Sequence, residues 1–461
     1  MINIQSDSRK IKKGDIFVAL KCEVNDGHKY IESAIENGAS KIIAEYGNYS
    51  VDTLIVKDTR EYINEYLKEN YNKFLDEMTI IGITGTNGKT TSAYLIYQAL
   101  NKLGIKTAYI GTIGFYLDKK ICNLPNTSVD ICDTYNLLMD AYDNCYKVVV
   151  MEVSSHALAN NRLCTINFDY AVFTNLTIDH LDFHKTMKNY ALAKQKLFKM
   201  LKPNGKAIVN IDDSYSNYFM LEENNNITYG KNGMYSFKDY ESNSLGTNFT
   251  LSVNNTYYPV NTKLIGTYNV YNLLVMISVL NNMNIKIEDI LSTVPFLNAP
   301  NGRMDTINYK DNLIIIDYAH TPDAIYNIIS AVDVIGKKYV VFGCTGERDR
   351  LKRPMMGSLV SKMSDYFIIT DDDPHNEDEN QIVSDILNGN DFTNFEICLD
   401  RKKAIRKGID LLNSKDILFI LGKGHEEYIV GKTKIKHNDK EEVLKYIADL
   451  ENNLEKTKNV K

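Results

Sequence analysis

No run of apolar residues in this 461-residue chain approaches the roughly 18 needed to cross a bilayer, so a membrane span is not expected. The opening MINIQSDSRKIKKGD lacks the apolar core of a secretory leader. Cysteine is sparse: seven residues, at 22, 122, 132, 145, 164, 344 and 398, with no CxxC pair. That pattern fits scattered reduced thiols better than a disulfide scaffold or a zinc ribbon, and a cytoplasmic protein is the expectation. An excess of positive charge is missing too, since 53 Lys+Arg against 59 Asp+Glu leave a net charge of −6. A broad field for nucleic acid is thereby excluded. Any bound anion must be held locally, by backbone amides, a few cations or a metal. Internal repeats and low-complexity tracts are absent as well.

What is present reads as globular, with 44% apolar and 24% charged residues. Residues 1–76 alternate short apolar runs (DIFVAL, KIIAEY) with helical stretches, as a small α/β domain would. At Met78 the texture changes to TIIGITGTNGKTTSAYLIYQALNKLG: a buried strand, a glycine turn, then a helix. KVVVMEVSS, DYAVFTNL and KAIVNI follow as further strands, which predicts a mostly parallel central sheet over 77–300. Tyr229 to Leu264 is polar, glycine-punctuated and alternating, and reads as an antiparallel insertion. After the turn-rich PFLNAPNGRMD, the units NLIIIDYAH, KYVVFGCTG, DYFIITDDD and DILFILGKG predict a doubly wound, Rossmann-like domain over 301–461. The expected fold class is therefore α/β in three domains.

Chemistry concentrates at the ends of these strands. Gly85, Thr86, Asn87, Gly88, Lys89 and Thr90 follow the strand IIGIT and open a helix. Glycines allow a turn that aims several N–H groups at one anion, and the helix N-terminus adds its dipole. Lys89 can then reach terminal phosphates and the Thr90 hydroxyl can ligate Mg²⁺, so ATP is the expected ligand. The strict G-x-x-x-x-G-K-[ST] pattern wants glycine at 83, where this chain has Ile83. Downstream, Glu152, Asp179 and His180 sit just past strands, where open parallel sheets bind ligands. Asp317 and His320, and Gly422 to Glu426, repeat that placement in the last third. The turn from Gly343 through Arg348, Arg350, Lys352 and Arg353 reads as a second anion clamp.

Taken together these segments resemble the Mur ligase family, most closely its UDP-N-acetylmuramoyl-tripeptide synthetase members, over nearly the whole chain. The resemblance rests on Asp7-Ser8-Arg9, Asp26-Gly27-His28, GTNGKT, Asn126-Thr127-Ser128, EVSSHAL with Arg162, and TNLTIDHLDFH. Tyr190 to Lys194, GTYN with Asn272, GRM, DYAHTP, ERDRLKRP and GKGHE continue it in register. It implies ATP- and Mg²⁺-dependent amide ligation through an acyl phosphate, with a UDP-N-acetylmuramoyl-dipeptide and a free diamino acid as partners in peptidoglycan-precursor synthesis. By the same resemblance, Lys89, Lys194, His180 and Glu152 are the catalytic set. Thr90, Glu152 and His180 would be metal ligands, and Lys194 would be carbamylated. Gly85 to Thr91 with Asn269, Arg303, Asp317 and His320 would meet ATP. Ser8, His28, Asn126, Thr127, Ser128, Ser154 and Arg162 would hold the UDP substrate. Arg348, Asp372, His375, Gly422 and Glu426 would form the amino-acid pocket, in a monomeric enzyme.

Three departures from the family pattern stand out: Cys22 in place of a glycine, Val129 in place of a proline, and Asp372-Asp373-Pro374-His375 where D-N-P-R is usual for members adding meso-diaminopimelate. Histidine cannot make the bidentate fork of arginine on a distal carboxylate. The expectation therefore leans to lysine or another basic diamino acid. meso-Diaminopimelate, or a different acceptor such as a folate or polyglutamate, remains the alternative.

Overall fold

The computed structural model describes residues 2–21, 26–222, 225–243, 245–332 and 335–458; Cys22 lies outside them. Three main sheets follow one another along the chain. The first holds four parallel strands, Ile4–Gln5, Ile16–Val18, Lys41–Ala44 and Asp52–Ile55. Helix Thr59–Leu75 closes this unit, its N-terminus capped by the Asp58 carboxylate accepting from the Arg60 and Glu61 amides.

The second sheet has eleven strands, and its parallel centre runs in the order Leu201–Asn210, Phe168–Phe173, Thr79–Thr84, Val148–Glu152, Thr107–Gly111. These strands read as apolar runs because both faces are covered. Helices Lys89–Lys102 and Thr267–Asn282 cover one face, with Ile81, Ile83, Val150, Val172 and Ile208 beneath them. On the other face Ile80, Val149, Ala171 and Val209 pack among helix residues such as Leu67, Tyr135 and Leu138. The antiparallel insertion is present as Tyr235–Asn243, Gly246–Val253 and Thr256–Thr262, and it extends this sheet at one edge.

The third sheet runs Asp305–Tyr309, Asn312–Asp317, Ile417–Leu421, Lys338–Phe342, Tyr366–Ile369, Phe395–Ile397, parallel apart from its first strand. A small antiparallel pair, Tyr428–Val430 with Lys434–Lys436, stands beside it. Among the described residues no helix is long and apolar enough to cross a membrane.

Candidate active site

Register places the chemistry. Ile83 pairs with Glu152 and Thr84 with Phe173, so Gly85, Glu152 and Thr174 leave the central sheet at one edge. Ile83 is a fully buried strand residue, and the turn begins only at Gly85. That explains the missing glycine at 83: this position belongs to the ladder, not to the loop. Gly85 itself has φ +150°, and a methyl there would lie 1.8 Å from the Thr174 hydroxyl. Thr174 and Asn175 brace the loop, both donating to the Asn87 carbonyl (2.7 and 3.1 Å), while Asn87 N–H donates to Asn175 Oδ1 (2.9 Å). Gly88, left-handed at φ +85°, starts helix Lys89–Lys102, whose first turn carries the buried Thr90 and Thr91.

Two lysines converge under this loop. Lys89 Nζ donates to the carbonyls of Gly85 (2.9 Å) and Thr86 (2.8 Å). Lys194, 1% exposed, donates to the same Gly85 carbonyl (2.7 Å) and lies 4.5 Å over the Tyr190 ring. Burial, and then the charge of Lys89, hold the Lys194 amine well below its ordinary pKa. Lys89 is lowered as well, chiefly by desolvation.

Glu152 is fully buried and receives four hydrogen bonds, from Tyr109, Thr90 and both the amide and the hydroxyl of Thr112. His180 does not share these contacts. Its ring pairs with Asp179 (3.3 Å) and meets His156 edge-on at 4.8 Å. Desolvation lowers the His180 pKa to about 3. The oxygen donors Thr90 Oγ1 and Glu152 Oε2, 2.8 Å apart beside the phosphate turn, suit a hard cation such as Mg²⁺.

Asp179 is where two domains meet. Lys352 Nζ (3.4 Å) and His320 Nε2 (3.9 Å) reach it from the C-terminal side, and Asn87 donates to Asp323 Oδ2 (2.9 Å). Arg303 stacks over Tyr318 at 4.4 Å, and its Nε is buried without a partner among the described residues. Burial raises Asp317 to about 6 although it accepts from the Met304 amide (2.6 Å). Asn269 is one layer back, accepting from Asn272 (3.0 Å), whose own Oδ1 accepts from Ser92 (3.0 Å).

In the C-terminal sheet, Asp317 pairs with Leu421 and Phe342 with Ile369, so the loops after these strands share an edge. There Lys423, 0% exposed, contacts Asp373 (2.7 Å), Glu426 (2.6 Å) and Asp372 (3.6 Å). Behind them Arg401 makes a fully buried pair with Asp439 and donates to the carbonyls of Asp371 and Leu421. His375 is left-handed (φ 52°) and its amide donates to the Val430 carbonyl (2.8 Å). The cationic turn is less open than its sequence implies, because Arg350 and Arg353 are both tied to Asp385 and Arg353 also to Glu377. Arg348, which lines a cavity of about 630 Å³ with Asn376 and Gln381, makes no ion pair among the described residues.

A larger cavity of about 970 Å³ opens between the first and second sheets, with Lys21, Arg60, Asn126 and Arg162 in its walls. Thr127 Oγ1 lies 3.0 Å from Thr112 Oγ1, which reaches Glu152 at 3.1 Å, so the turn from Asn126 leads from this cavity to the carboxylate. Ser128 donates to the Glu152 carbonyl, and Ser154 caps helix Ser155–Ala159. Ser8 is buried with its carbonyl taken by Asn37. His28 is stacked on Tyr46 (4.2 Å), with its ring nitrogens bonded to Asp26 and the Glu45 amide.

Comparison with known proteins identifies the family of the chain. The Mur ligase middle domain matches residues 83–280, the Mur ligase glutamate ligase domain 302–424, and the Mur ligase family catalytic domain 2–81. The chain belongs to the Mur ligase family. A Clostridium botulinum UDP-N-acetylmuramoyl-L-alanyl-D-glutamate–2,6-diaminopimelate ligase is 37% identical, covering 96% of this chain and 94% of the relative. Its Aquifex aeolicus counterpart is 39% identical over 92% of this chain and 89% of its own length. A solved structure of such a ligase aligns with TM-score 0.67 and 31% identity, covering 97% of this chain and 95% of that one. The Thermotoga maritima MurF ligase in complex with ADP shares the fold (TM-score 0.71, 22% identity, 98% of each chain). As a Mur ligase the chain is an ATP-dependent enzyme. Sequence reading had not singled out Tyr109, Thr112 or Lys423 in this site. Lys423 was within reach, inside the GKGHE segment already noted; Tyr109 and Thr112 come from a neighbouring strand and its turn and carry no local signal.

Proposed function

We propose that this Mur ligase joins a diamino acid to the D-glutamate carboxylate of UDP-N-acetylmuramoyl-L-alanyl-D-glutamate. The observation that carries the reading is the continuous path from the 970 Å³ cavity, through Asn126, Thr127 and Thr112, to Glu152 and the phosphate turn. Lys21 and Arg162 make no ion pair among the described residues and leave two cations on that wall for a diphosphate. The peptide carboxylate would attack the γ-phosphorus with loss of ADP, and the resulting acyl phosphate would be attacked by the amine with loss of phosphate.

Two anions must approach for the first step, so positive charge has to be waiting. Lys89, Arg303 and Lys352 supply it from both sides of the cleft. Thr90 and Glu152 would hold Mg²⁺, which would supply charge neutralisation at phosphate oxygens. Burial lowers the pKa of the Lys194 amine, which favours the lone pair that attack on CO₂ requires, and losing a proton would leave a carbamate. A carbamate there would attract the Lys89 ammonium, whereas a protonated Lys194 would repel it.

The incoming amine would meet Asp372, Asp373 and Glu426, whose combined charge exceeds that of Lys423. The relatives' named substrate, together with Arg348, which has no ion pair among the described residues, moves the balance toward 2,6-diaminopimelate. His375 keeps lysine as a second reading, since it offers no fork for a distal carboxylate. A cytoplasmic monomer is the working state. Purified protein assayed for ADP release with the UDP-dipeptide and either 2,6-diaminopimelate, lysine or ornithine tests this: turnover should require the dipeptide and one diamino acid. Hydrolysis independent of both would overturn it. Lys89→Ala should abolish turnover and leave UDP-dipeptide binding intact by calorimetry.

A further inference from the structure

A carboxylate has about four lone-pair sites, and at Glu152 all four are filled by donors of two kinds. Oε1 accepts from the Tyr109 hydroxyl (2.5 Å) and the Thr112 amide (2.8 Å). Oε2 accepts from the hydroxyls of Thr90 (2.8 Å) and Thr112 (3.1 Å). The Oε1 donors are fixed. One is backbone; the other sits on a ring that is 0% exposed and packed edge-on against Tyr94, Tyr97 and Tyr116. The Oε2 donors are hydroxyls, whose protons turn away by rotation about the C–O bond while the oxygens stay in place.

The fold keeps room for this arrangement. A methyl on Gly111 would lie 2.3 Å from Glu152 Oε1 and 2.5 Å from the Tyr109 oxygen, so any side chain there would break the bond.

We propose that Tyr109 is a positioning residue that pins Glu152 Oε1 and so presents the carboxylate to a divalent cation through Oε2 alone, favouring a small cation over a large one. Mg²⁺ takes single oxygens in a tight octahedron, whereas Ca²⁺ accepts both oxygens of one carboxylate. With Oε1 committed to the protein, the bidentate mode is closed. The inference rests on the reading of Glu152 as a cation ligand.

Calorimetric titration of Mn²⁺, and separately of Ca²⁺, into the full-length protein saturated with ADP tests it. Tyr109→Phe removes one oxygen and leaves the ring in its packing, and thermal unfolding checks that the fold persists. Loss of an outer-sphere partner weakens metal binding by about tenfold or more, so Mn²⁺ affinity should fall that far while Ca²⁺ affinity holds or rises. A merely structural role would lower the unfolding temperature without changing the Mn²⁺/Ca²⁺ ratio. Gly111→Ala, which presses on the same bond from the other side, should shift the ratio in the same direction. An unchanged ratio in both variants, with Mn²⁺ binding lost in Glu152→Gln, overturns the role of Tyr109 alone. Unchanged Mn²⁺ binding in Glu152→Gln overturns the underlying ligand assignment.

Discussion

Lys194 and Lys423 are both buried to 1% exposure or less, yet their surroundings drive them in opposite directions. Around Lys194 the partners are a backbone carbonyl, an aromatic face and a neighbouring lysine, and the amine is held well below its ordinary pKa. Around Lys423 three carboxylates outweigh the cost of desolvation, and the ammonium is raised instead. Burial by itself therefore says little about a lysine's charge; the partners decide. The surroundings of Lys194 favour the free amine, and those of Lys423 favour the ammonium braced among acids.

The sharpest way to break this contrast is chemical. Lys194→Ala, and equally the charge-preserving Lys194→Arg, should cost about 10²-fold or more in kcat, because neither can become a carbamate anion beside the reacting phosphate. Carbon-13 NMR in labelled bicarbonate should show a carbamate resonance in the parent and none in either variant. Full activity in Lys194→Arg would show that no lone pair is needed there.

Lys423→Met should act on stability, since it strands Asp372, Asp373 and Glu426 together; the expected loss at pH 7 is about 3 kcal/mol by denaturant titration. Asp372 and Glu426 already have raised pKa values, through burial first. In the variant the folded state would bind more protons than the unfolded chain, so stability should recover as pH falls. A loss independent of pH between 4 and 7 would separate Lys423 from these acids.

The smallest effect concerns the buried histidines of the cleft and the C-terminal loops. Burial holds His184 and His320 at about 4 and His425 at about 3. Unfolded histidine protonates near 6.5, so the unfolded chain takes up protons first and stability is lost as pH drops from 6.5 toward 4. His184→Gln should flatten that slope measurably relative to the parent. Parallel slopes would mean that folding leaves the His184 pKa unchanged.

Much of this was legible in the chain. The strand, turn and helix from Thr79 to Lys102 announce themselves, because an apolar run ends in glycines and gives way to helical spacing. The four C-terminal strand-and-turn units were visible for the same reason. Asp305–Tyr309 and Phe395–Ile397 were not, since edge strands are half-exposed and carry no continuous apolar signal. Within the site, Lys89, Glu152 and Lys194 could be named from motifs. The partners of Glu152 could not, because Tyr109 and Thr112 reach it from another strand and its turn. Conversely, Arg350 and Arg353 looked available in the sequence and are tied to Asp385 in the fold.

Helix Thr267–Asn282 covers strands that end by Asn210, with the antiparallel ribbon intervening. During synthesis, at about 5–20 residues per second, the apolar sheet face must therefore wait several seconds, half-roofed by helix Lys89–Lys102, for its second cover to leave the ribosome. Nascent chains stalled before residue 267 should bind a holdase chaperone, and those released beyond Asn282 should not.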